Sequence, residues 1–235
     1  MDERIIDFHS HILPGVDDGS PDVETSLEML RLSSEQGVQI QVLTPHYYPW
    51  KEDISSFFGR REKSLSVLSE KSPSEPKIVC GAEIAFFRHM RDGDLQHLCV
   101  GNSRAILIEM PFESWSNSVV DDVSSLCLDL DYRVVLAHVE RFMRYSGNRR
   151  KLQDLSALPI VYQINAEAFL HFGTRGLAAD LIRSGYDIIL GSDAHNCTSR
   201  RPNLGEARIY IEKHFGKNCL RRMDATAMSL LEIQT

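Results

Sequence analysis

The sequence predicts an α/β fold, a distorted (β/α)7 barrel formed by all residues 1–235 as a single domain. Short apolar, β-branched segments alternate with amphipathic helical segments, a pattern typical of βαβ units and a parallel sheet. Histidine and acidic residues recur where the apolar segments end, and the carboxyl ends of parallel strands converge on one site only in a barrel. An open doubly wound sheet would spread these residues along an edge, and it commonly carries a glycine-rich phosphate loop, which this sequence lacks.

Seven segments have the length and composition of buried strands. Most are apolar throughout, as expected of parallel strands that are covered on both faces. The predicted strands are 4–8, 38–44, 77–83, 104–110, 133–138, 160–165 and 187–192.

The segments between these strands have helical patterns. In the first of them, Ser20 is predicted as the N-cap and Pro21 as the first helical residue, with Asp22 and Glu24 in the first turn and Gly37 as the stop. The other predicted helices are 55–70, 117–130, 174–184, 203–216 and the closing helix 221–233.

Composition limits the classes of function. A net charge of −7 argues against a nucleic-acid partner, because phosphate backbones require a basic surface. We expect no secretory leader, because the first residues contain no basic segment followed by an apolar one. No apolar run in the sequence approaches the roughly 18 residues that a membrane span needs. Five cysteines without paired spacing suit a reducing compartment. We therefore expect a cytoplasmic protein with no membrane insertion.

The residues at the strand ends have the chemistry of metal ligands. His9 and His11 share one face of a strand by the i, i+2 rule, and imidazole is a good ligand for manganese, iron or zinc. Glu83 and Glu109 end apolar strands, where an unpaired carboxylate would be costly to bury. Each residue taken alone is equally consistent with a structural role, but their joint placement favours one polynuclear metal site. The candidate ligands are His9, His11, Asp18, His46, Glu83, Glu109, His138, Asp193 and His195.

Other polar residues are assigned different roles. Asp17 is expected to shape the turn after the first strand or to favour the following helix. Arg141 and Arg200 closely follow candidate ligands, and guanidinium groups bind phosphate in a bidentate way, so we expect these two arginines to bind phosphate. Arg201 is equally consistent with phosphate binding and with a solvated surface position. The histidines at 89, 97, 171 and 214 are expected at the surface or behind the ligands.

Three aromatic residues follow His46 directly. Tyr47, Tyr48 and Trp50 are predicted to form a rim that stacks on a ring-bearing substrate. A mobile loop anchored by its aromatic residues is the alternative interpretation.

These motifs resemble those of the polymerase-and-histidinol-phosphatase (PHP) superfamily, and within it the bacterial metal-dependent protein-tyrosine phosphatases of capsule and exopolysaccharide loci. The resemblance extends over essentially the whole chain. It rests on Asp-Phe-His-Ser-His-Ile-Leu-Pro-Gly-Val-Asp-Asp-Gly from Asp7 onward, Thr-Pro-His46, Gly-Ala-Glu83-Ile, Leu-Ile-Glu109, Ala-His138-Val-Glu-Arg141-Phe, Gln163-Ile-Asn165 and Gly-Ser-Asp193-Ala-His195-Asn.

The resemblance implies a TIM-like barrel with three divalent metal ions, most often manganese, with iron or zinc as alternatives. It implies one ion held by His9, His11, Glu83 and Asp193, a second by Glu83, Glu109 and His138, and a third by Asp18, His46 and His195. It also implies that Arg141 and Arg200 hold the phosphate. For the acid that protonates the leaving group, Asp193 and His195 are the candidates, and neither is preferred.

The resemblance further implies a substrate, the phosphotyrosyl tail of a bacterial tyrosine autokinase that controls polysaccharide export. Two alternatives stay open on the same metal chemistry, namely a small phosphomonoester such as histidinol phosphate and a nucleic-acid phosphodiester. A third alternative is a non-catalytic scaffold that only binds a kinase.

Overall fold

A computed structural model describes residues 4–231 and contains nine short parallel strands. Each of the seven predicted strand segments contains at least one of them, and two of the segments are followed by a second short strand after a break. The strands are β1 (Ile6–Asp7), β2 (Ile40–Leu43), β3 (His46–Tyr47), β4 (Lys77–Cys80), β5 (Glu83–Ala85), β6 (Ala105–Glu109), β7 (Arg133–Leu136), β8 (Val161–Asn165) and β9 (Ile188–Gly191).

The strands form two parallel sheets that continue into each other. One sheet has the order β1-β2-β4 and the other has the order β3-β5-β6-β7-β8-β9. Along the chain, Pro45 separates β2 from β3. Proline lacks the backbone N–H that pairing with a neighbouring strand requires, so the strand is interrupted there. The first and last strands are joined by backbone hydrogen bonds from Phe8 N to Leu190 O (3.1 Å) and from Asp193 N to His9 O (2.8 Å). These bonds bring the two ends of the strand order together, an arrangement consistent with the predicted α/β barrel.

Eight helices connect and cover the strands within residues 4–231. Two of them, α4 and α5, are short and were not predicted, since each has too few residues to show a helical period. The helices are α1 (Val23–Glu35), α2 (Ile54–Ser69), α3 (Asn117–Leu128), α4 (Asn148–Leu155), α5 (Glu167–Leu170), α6 (Phe172–Arg183), α7 (Leu204–Phe215) and α8 (Lys217–Leu230). The predicted closing helix begins earlier than expected, and its residues 232 and 233 lie outside the described part.

The start of α1 differs from the prediction. The N-cap is Asp22, whose carboxylate accepts a hydrogen bond from Thr25 N, and α1 begins at Val23. Ser20 instead donates its hydroxyl to Asp22 O (2.9 Å). Because the hydroxyl of Ser20 is thus used in the preceding turn, Asp22 caps the helix two residues later.

The strands are buried on both faces. Ile106 and Ile108 of β6 belong to the large cluster packed under the helices, whereas Leu107 belongs to a second cluster on the opposite face. This second cluster includes Ala227 and Leu230 of α8. Both faces of the strands are therefore apolar along most of their length, and polar residues concentrate at the carboxyl ends. No helix within residues 4–231 combines the length and apolar character needed to cross a membrane.

Candidate metal centre

The carboxyl ends of the strands bring the nine candidate ligands together. His9 and His11 follow β1, and His46 of β3 lies in register with Glu83 of β5. Asp18 lies in the turn between β1 and α1, Glu109 ends β6, His138 follows β7, and Asp193 and His195 follow β9. Parallel strands all end at the same mouth, so residues as distant in sequence as His9 and Asp193 lie within 3.7 Å of each other.

Two of these residues have backbone conformations that side chains rarely adopt. His138 has φ of 30° and Asp193 has φ of 54°, both in the left-handed region. Such conformations typically cost about 1–3 kcal/mol each and cluster at functional sites. Both residues lie directly after a strand, and their side chains contact other candidate ligands.

The first cluster contains His9, His11, Glu83 and Asp193. The His9 and His11 Nε2 atoms are 3.1 Å apart, and each lies 3.2–3.3 Å from Glu83 Oε2. Asp193 Oδ1 lies 3.7 Å from His9 Nε2 and 3.3 Å from His11 Nε2. Four ligands around a transition metal at bond lengths of about 2.1 Å stand about 3.4 Å from one another. The donors of His9, His11 and Asp193 therefore lie within reach of one ion, and Glu83 Oε2 lies beside both histidine nitrogens.

Hydrogen bonds behind the first cluster fix the orientation of its imidazoles. His9 Nδ1 lies 2.9 Å from Gln163 Oε1, and His11 Nδ1 lies 2.6 Å from Asp17 Oδ2. Since an amide oxygen and a carboxylate only accept hydrogen bonds, each Nδ1 carries the proton. The Nε2 lone pairs therefore face the cluster, which is the usual arrangement behind a metal-bound histidine.

The second cluster surrounds the other oxygen of Glu83. His138 Nε2 lies 2.8 Å from Glu83 Oε1 and 3.4 Å from Glu109 Oε1. His46 Nδ1 also approaches Glu83, at 3.0 Å from Oε2, and groups with Glu83 and Glu109 as donors within reach of one ion. The resemblance implied only His138 beside the two glutamates, so the position of His46 was not anticipated.

The third cluster contains Asp18, His46 and His195. Asp18 Oδ1 lies 3.7 Å from His46 Nε2 and 3.6 Å from His195 Nε2. Asp18 is the most exposed of the nine candidates, with 67% of its side chain accessible. His46 therefore presents one ring nitrogen to this cluster and the other to Glu83.

Unsatisfied buried atoms show that this arrangement fits cations. Glu83 Oε2, His46 Nδ1 and His195 Nε2 are buried and form no hydrogen bond. The short distance between Glu83 Oε2 and His46 Nδ1 is thus an ion-pair contact without hydrogen-bond geometry. Burial opposes ionisation of Glu83, but His9 and His46 hold its pKa well below the usual range. Buried carboxylates beside imidazole lone pairs are the donor set of divalent metal ions.

Two arginines converge on the same carboxylate. Arg141 Nη2 donates to Asp193 Oδ2 (2.7 Å), and Arg200 Nη2 donates to Asp193 Oδ1 (3.0 Å). About a third of each arginine side chain is exposed, 34% for Arg141 and 36% for Arg200. Arg201 instead pairs with Glu206 on α7. The structure therefore separates Arg201 from the two arginines at the mouth.

The aromatic rim contains only part of the predicted set. Tyr48 stacks on His46 at a ring distance of 5.1 Å, and Trp50 packs on Tyr48 at 5.2 Å. Tyr47 is buried and packs on Phe57, so its assignment to the rim was wrong. Consecutive residues of an extended chain point to opposite faces, and Tyr47 therefore points into the core when His46 and Tyr48 point to the mouth.

Several supporting residues were assigned no role at the metal centre from the sequence. Asp17 was expected to shape the turn, and it does bind Gly19 N, but it also holds His11 and His46 N. Gln163 Oε1 accepts from His138 N (2.7 Å), and Asn165 donates to Asp193 Oδ2 (2.8 Å). The polar i, i+2 pair in the otherwise apolar strand β8 was the available sequence signal. The histidines at 89, 97, 171 and 214 are exposed, as expected.

Comparisons with known proteins agree with this architecture. The family model for capsular polysaccharide synthesis, CpsB/CapC, matches residues 5–231. Tyrosine-protein phosphatase YwqE of Bacillus subtilis is 29% identical over 243 aligned positions, covering 98% of this chain and 93% of that protein. The putative tyrosine-protein phosphatase CapC of Staphylococcus aureus is 30% identical, covering 83% of this chain and 79% of that protein.

A solved structure is similar over almost its whole length. It comes from the crystal structures of YwqE from Bacillus subtilis and CpsB from Streptococcus pneumoniae, described as unique metal-dependent tyrosine phosphatases. The TM-score is 0.80 at 25% sequence identity, and the match covers 98% of this chain and 96% of that chain. The arrangement of strands around the candidate metal centre is therefore one that solved proteins share.

Proposed function

The chain belongs to the CpsB/CapC family of capsular polysaccharide synthesis, and we propose that it is a metal-dependent phosphatase that hydrolyses phosphotyrosine on a protein. The observation that carries the proposal is the position of Glu83. Its two oxygens lie 2.8–3.3 Å from the ring nitrogens of four histidines, beside two arginines that share Asp193. Cation ligands and phosphate-binding groups therefore meet at one mouth.

We propose that this mouth holds three divalent ions, manganese in preference to iron or zinc. The first would be held by His9, His11, Glu83 and Asp193, and the second by Glu83, Glu109 and His138. Asp18, His46 and His195 would hold the third. When bound, such ions supply an activated water nucleophile and neutralise the charge of the phosphoryl group.

Arg141 and Arg200 are proposed to bind and orient the phosphate. Each guanidinium has five N–H donors, and Asp193 uses one from each. The remaining donors lie in the partly exposed region of the mouth, where they can form paired hydrogen bonds with phosphate oxygens. Asp193 thereby fixes the angle between the two guanidinium groups before the substrate arrives.

The leaving group is proposed to depart without a strong general acid. Burial and the nearby His11 lower the pKa of His195 to about 4, and His9 and His11 hold the pKa of Asp193 well below its usual value despite burial. Neither candidate acid therefore keeps a proton near neutral pH. A tyrosine phenolate, with a parent pKa of about 10, is a fairly good leaving group and needs little protonation.

A cysteinyl-phosphate route has no support in this geometry. The sequence contains one Cys-x5-Arg spacing, from Cys127 to Arg133, but Cys127 lies in α3 and Arg133 begins β7. Arg133 donates to Ser229 O, and burial raises the pKa of the Cys127 thiol to about 11. A nucleophilic cysteine requires the opposite, a lowered pKa in an electropositive cradle.

We propose the phosphotyrosyl tail of a bacterial tyrosine kinase as the substrate, with the phosphatase acting in the cytoplasm. The names of the relatives support the phosphotyrosyl class, and their link to capsule synthesis supports a kinase that controls polysaccharide production. Histidinol phosphate and single-stranded DNA are the rival substrates. The net charge of −7 disfavours DNA.

The test compares the three substrates on metal-free protein reconstituted with manganese, iron or zinc. We expect turnover of a phosphotyrosyl peptide and little turnover of histidinol phosphate or DNA. Glu83→Ala should lose activity and metal together, because Glu83 contacts all three clusters. Glu167→Ala should retain both, because Glu167 is partly exposed and pairs with His171, which is not a candidate ligand. Activity in the Glu83→Ala protein would refute the metal mechanism. A metal-loaded wild type that hydrolyses none of the substrates would support the scaffold alternative.

A further inference from the structure

Phe112 is an exposed aromatic residue beside the metal centre that the proposed function does not use. It follows Glu109 by three residues, and 46% of its surface is accessible. One face of its ring stacks on His138 at a ring distance of 6.0 Å and an interplanar angle of 23°. Its ring also packs at a tilt on Phe142 at 5.0 Å. Phe112 is therefore held firmly while part of its ring stays open.

Tyr48, like Phe112, stacks on a histidine that contacts Glu83. Its ring stacks on His46 at 5.1 Å and 24°, and His46 lies against Glu83 Oε2. The partner of Phe112, His138, lies against Glu83 Oε1. Tyr48 and Phe112 therefore stack on two histidines that contact different oxygens of the buried Glu83.

We propose that Phe112 and Tyr48 form an aromatic slot that receives the phenyl ring of the substrate, with Phe112 as a residue that determines specificity. The proposal rests on the proposed phosphotyrosine activity and adds the residue that recognises the ring. A phosphate held by Arg141 and Arg200 beside the metal clusters would leave its aryl group at the mouth. The exposed ring of Phe112 and the partly buried ring of Tyr48 offer there the stacked or tilted contacts that aromatic groups prefer.

Partial exposure distinguishes Phe112 from the aromatic residues of the core. Phe142, which it contacts, is completely buried, and Trp115 next to Phe142 is 5% exposed. A residue needed only for packing would gain by burying its remaining surface. Phe112 instead leaves its ring accessible at the mouth, where the aryl group of a bound substrate would supply the missing contact.

The test separates ring recognition from phosphate recognition. KM for a phosphotyrosyl peptide measures both, whereas the inhibition constant of inorganic phosphate measures only the metal and arginine site. In Phe112→Ala we expect KM to rise about tenfold, since aromatic stacking and lost burial together are worth about that factor. The phosphate inhibition constant should stay within about twofold. Binding of a non-hydrolysable phosphonate analogue of the peptide should weaken in parallel with KM.

Matched variants control for folding and for general surface effects. Phe112→Tyr keeps the ring and should remain close to wild type, and Phe112→Leu should fall between the two. Phe172→Ala removes an aromatic ring that is 93% exposed on α6 and should change neither constant. Metal content and the melting temperature show whether a variant is folded and loaded; if Phe112→Ala fails either check, Phe112→Leu carries the comparison.

Two results would overturn the slot. In the first, KM for the peptide is unchanged in Phe112→Ala and Phe112→Leu; in the second, KM and the phosphate inhibition constant rise together in loaded protein. Failure of the proposed function looks different, because the metal-loaded wild type would then not hydrolyse the phosphotyrosyl peptide at all.

Discussion

Asp17 and His11 are joined by a hydrogen bond of 2.6 Å between the Asp17 Oδ2 atom and the His11 Nδ1 atom. The same carboxylate accepts from Gly19 N and His46 N, so one side chain supports two candidate ligands and the turn between them. Burial opposes ionisation of Asp17, but the charge and hydrogen bond of His11 hold its pKa well below the usual value. Asp17 is therefore an anion that keeps the His11 Nε2 lone pair directed at the metal centre.

Asp17→Asn should weaken metal binding by about 10- to 100-fold. The asparagine side chain has a single acceptor oxygen, whereas the carboxylate of Asp17 meets its three donors with two oxygens, so the amide would place N–H against N–H. Metal affinity can be measured by titration of metal-free protein. Asp22→Asn is the matched control in the same segment, because asparagine caps a helix as well as aspartate does. Equal metal affinities in the two variants would contradict this role.

Gly191→Ala should displace His9 and lower both metal content and stability. A Cβ at position 191 would lie 2.5 Å from His9 Cβ and 2.8 Å from Gln163 Nε2, and both atoms are fixed in the barrel. We expect a loss of about 1–3 kcal/mol in the free energy of unfolding, measured by urea denaturation. Gly59→Ala is the control, because a Cβ there meets nothing within 4 Å, and alanine in α2 should stabilise by about 0.4–1 kcal/mol. A Gly191→Ala protein with normal metal content would show that His9 tolerates the displacement.

Arg141→Lys should reduce kcat/KM by about 10²- to 10³-fold, because lysine cannot form the planar paired hydrogen bonds that a guanidinium offers to phosphate. The inhibition constant of inorganic phosphate should rise as well. Arg144→Lys serves as the control and should match wild type, because Arg144 is exposed at the end of the 3-10 helix Val139–Arg144, which also contains Arg141. If the two variants had the same kinetics, Arg141 would have no special role toward phosphate.

Metal binding should release protons near neutral pH. Burial opposes protonation of His138, but Glu109 and Glu83 raise its pKa to about 9, and Asp17 raises the pKa of the buried His11 well above its usual value. Below about pH 9 His138 is protonated in metal-free protein, and the raised pKa of His11 favours its protonated form as well, so both imidazoles must lose a proton to act as ligands. Metal affinity should therefore increase with pH up to about 9, and proton release should decline above it.

Calorimetric titration with metal in buffers of different ionisation enthalpy measures this release. An apparent binding enthalpy that does not depend on the buffer at pH 7 would contradict the prediction.

The sequence was sufficient to predict which candidate residues gather at the strand ends, because their positions depend on a local feature, the end of an apolar strand. Glu83 and Glu109 each signalled the need for a partner, since a carboxylate at the end of a buried strand is costly to leave unpaired, but only the joint placement of the candidates favoured a metal site. The residues at which the helices begin were predicted less accurately from the sequence. Ser20 and Asp22 are both good caps, and only the hydrogen bonds of the folded turn decide which of them is used.

The sequence by itself therefore determined the α/β class, the seven strand segments and which residues gather at their ends, because strand period and burial are encoded locally. Only the tertiary structure decided how these residues face one another. In the structure, Tyr47 lies in the core, His46 contacts residues of two clusters, Asp17 binds His11, and Phe112 lies at the mouth beside His138. Such relationships depend on side-chain directions across strands distant in sequence, which are fixed only when the barrel closes.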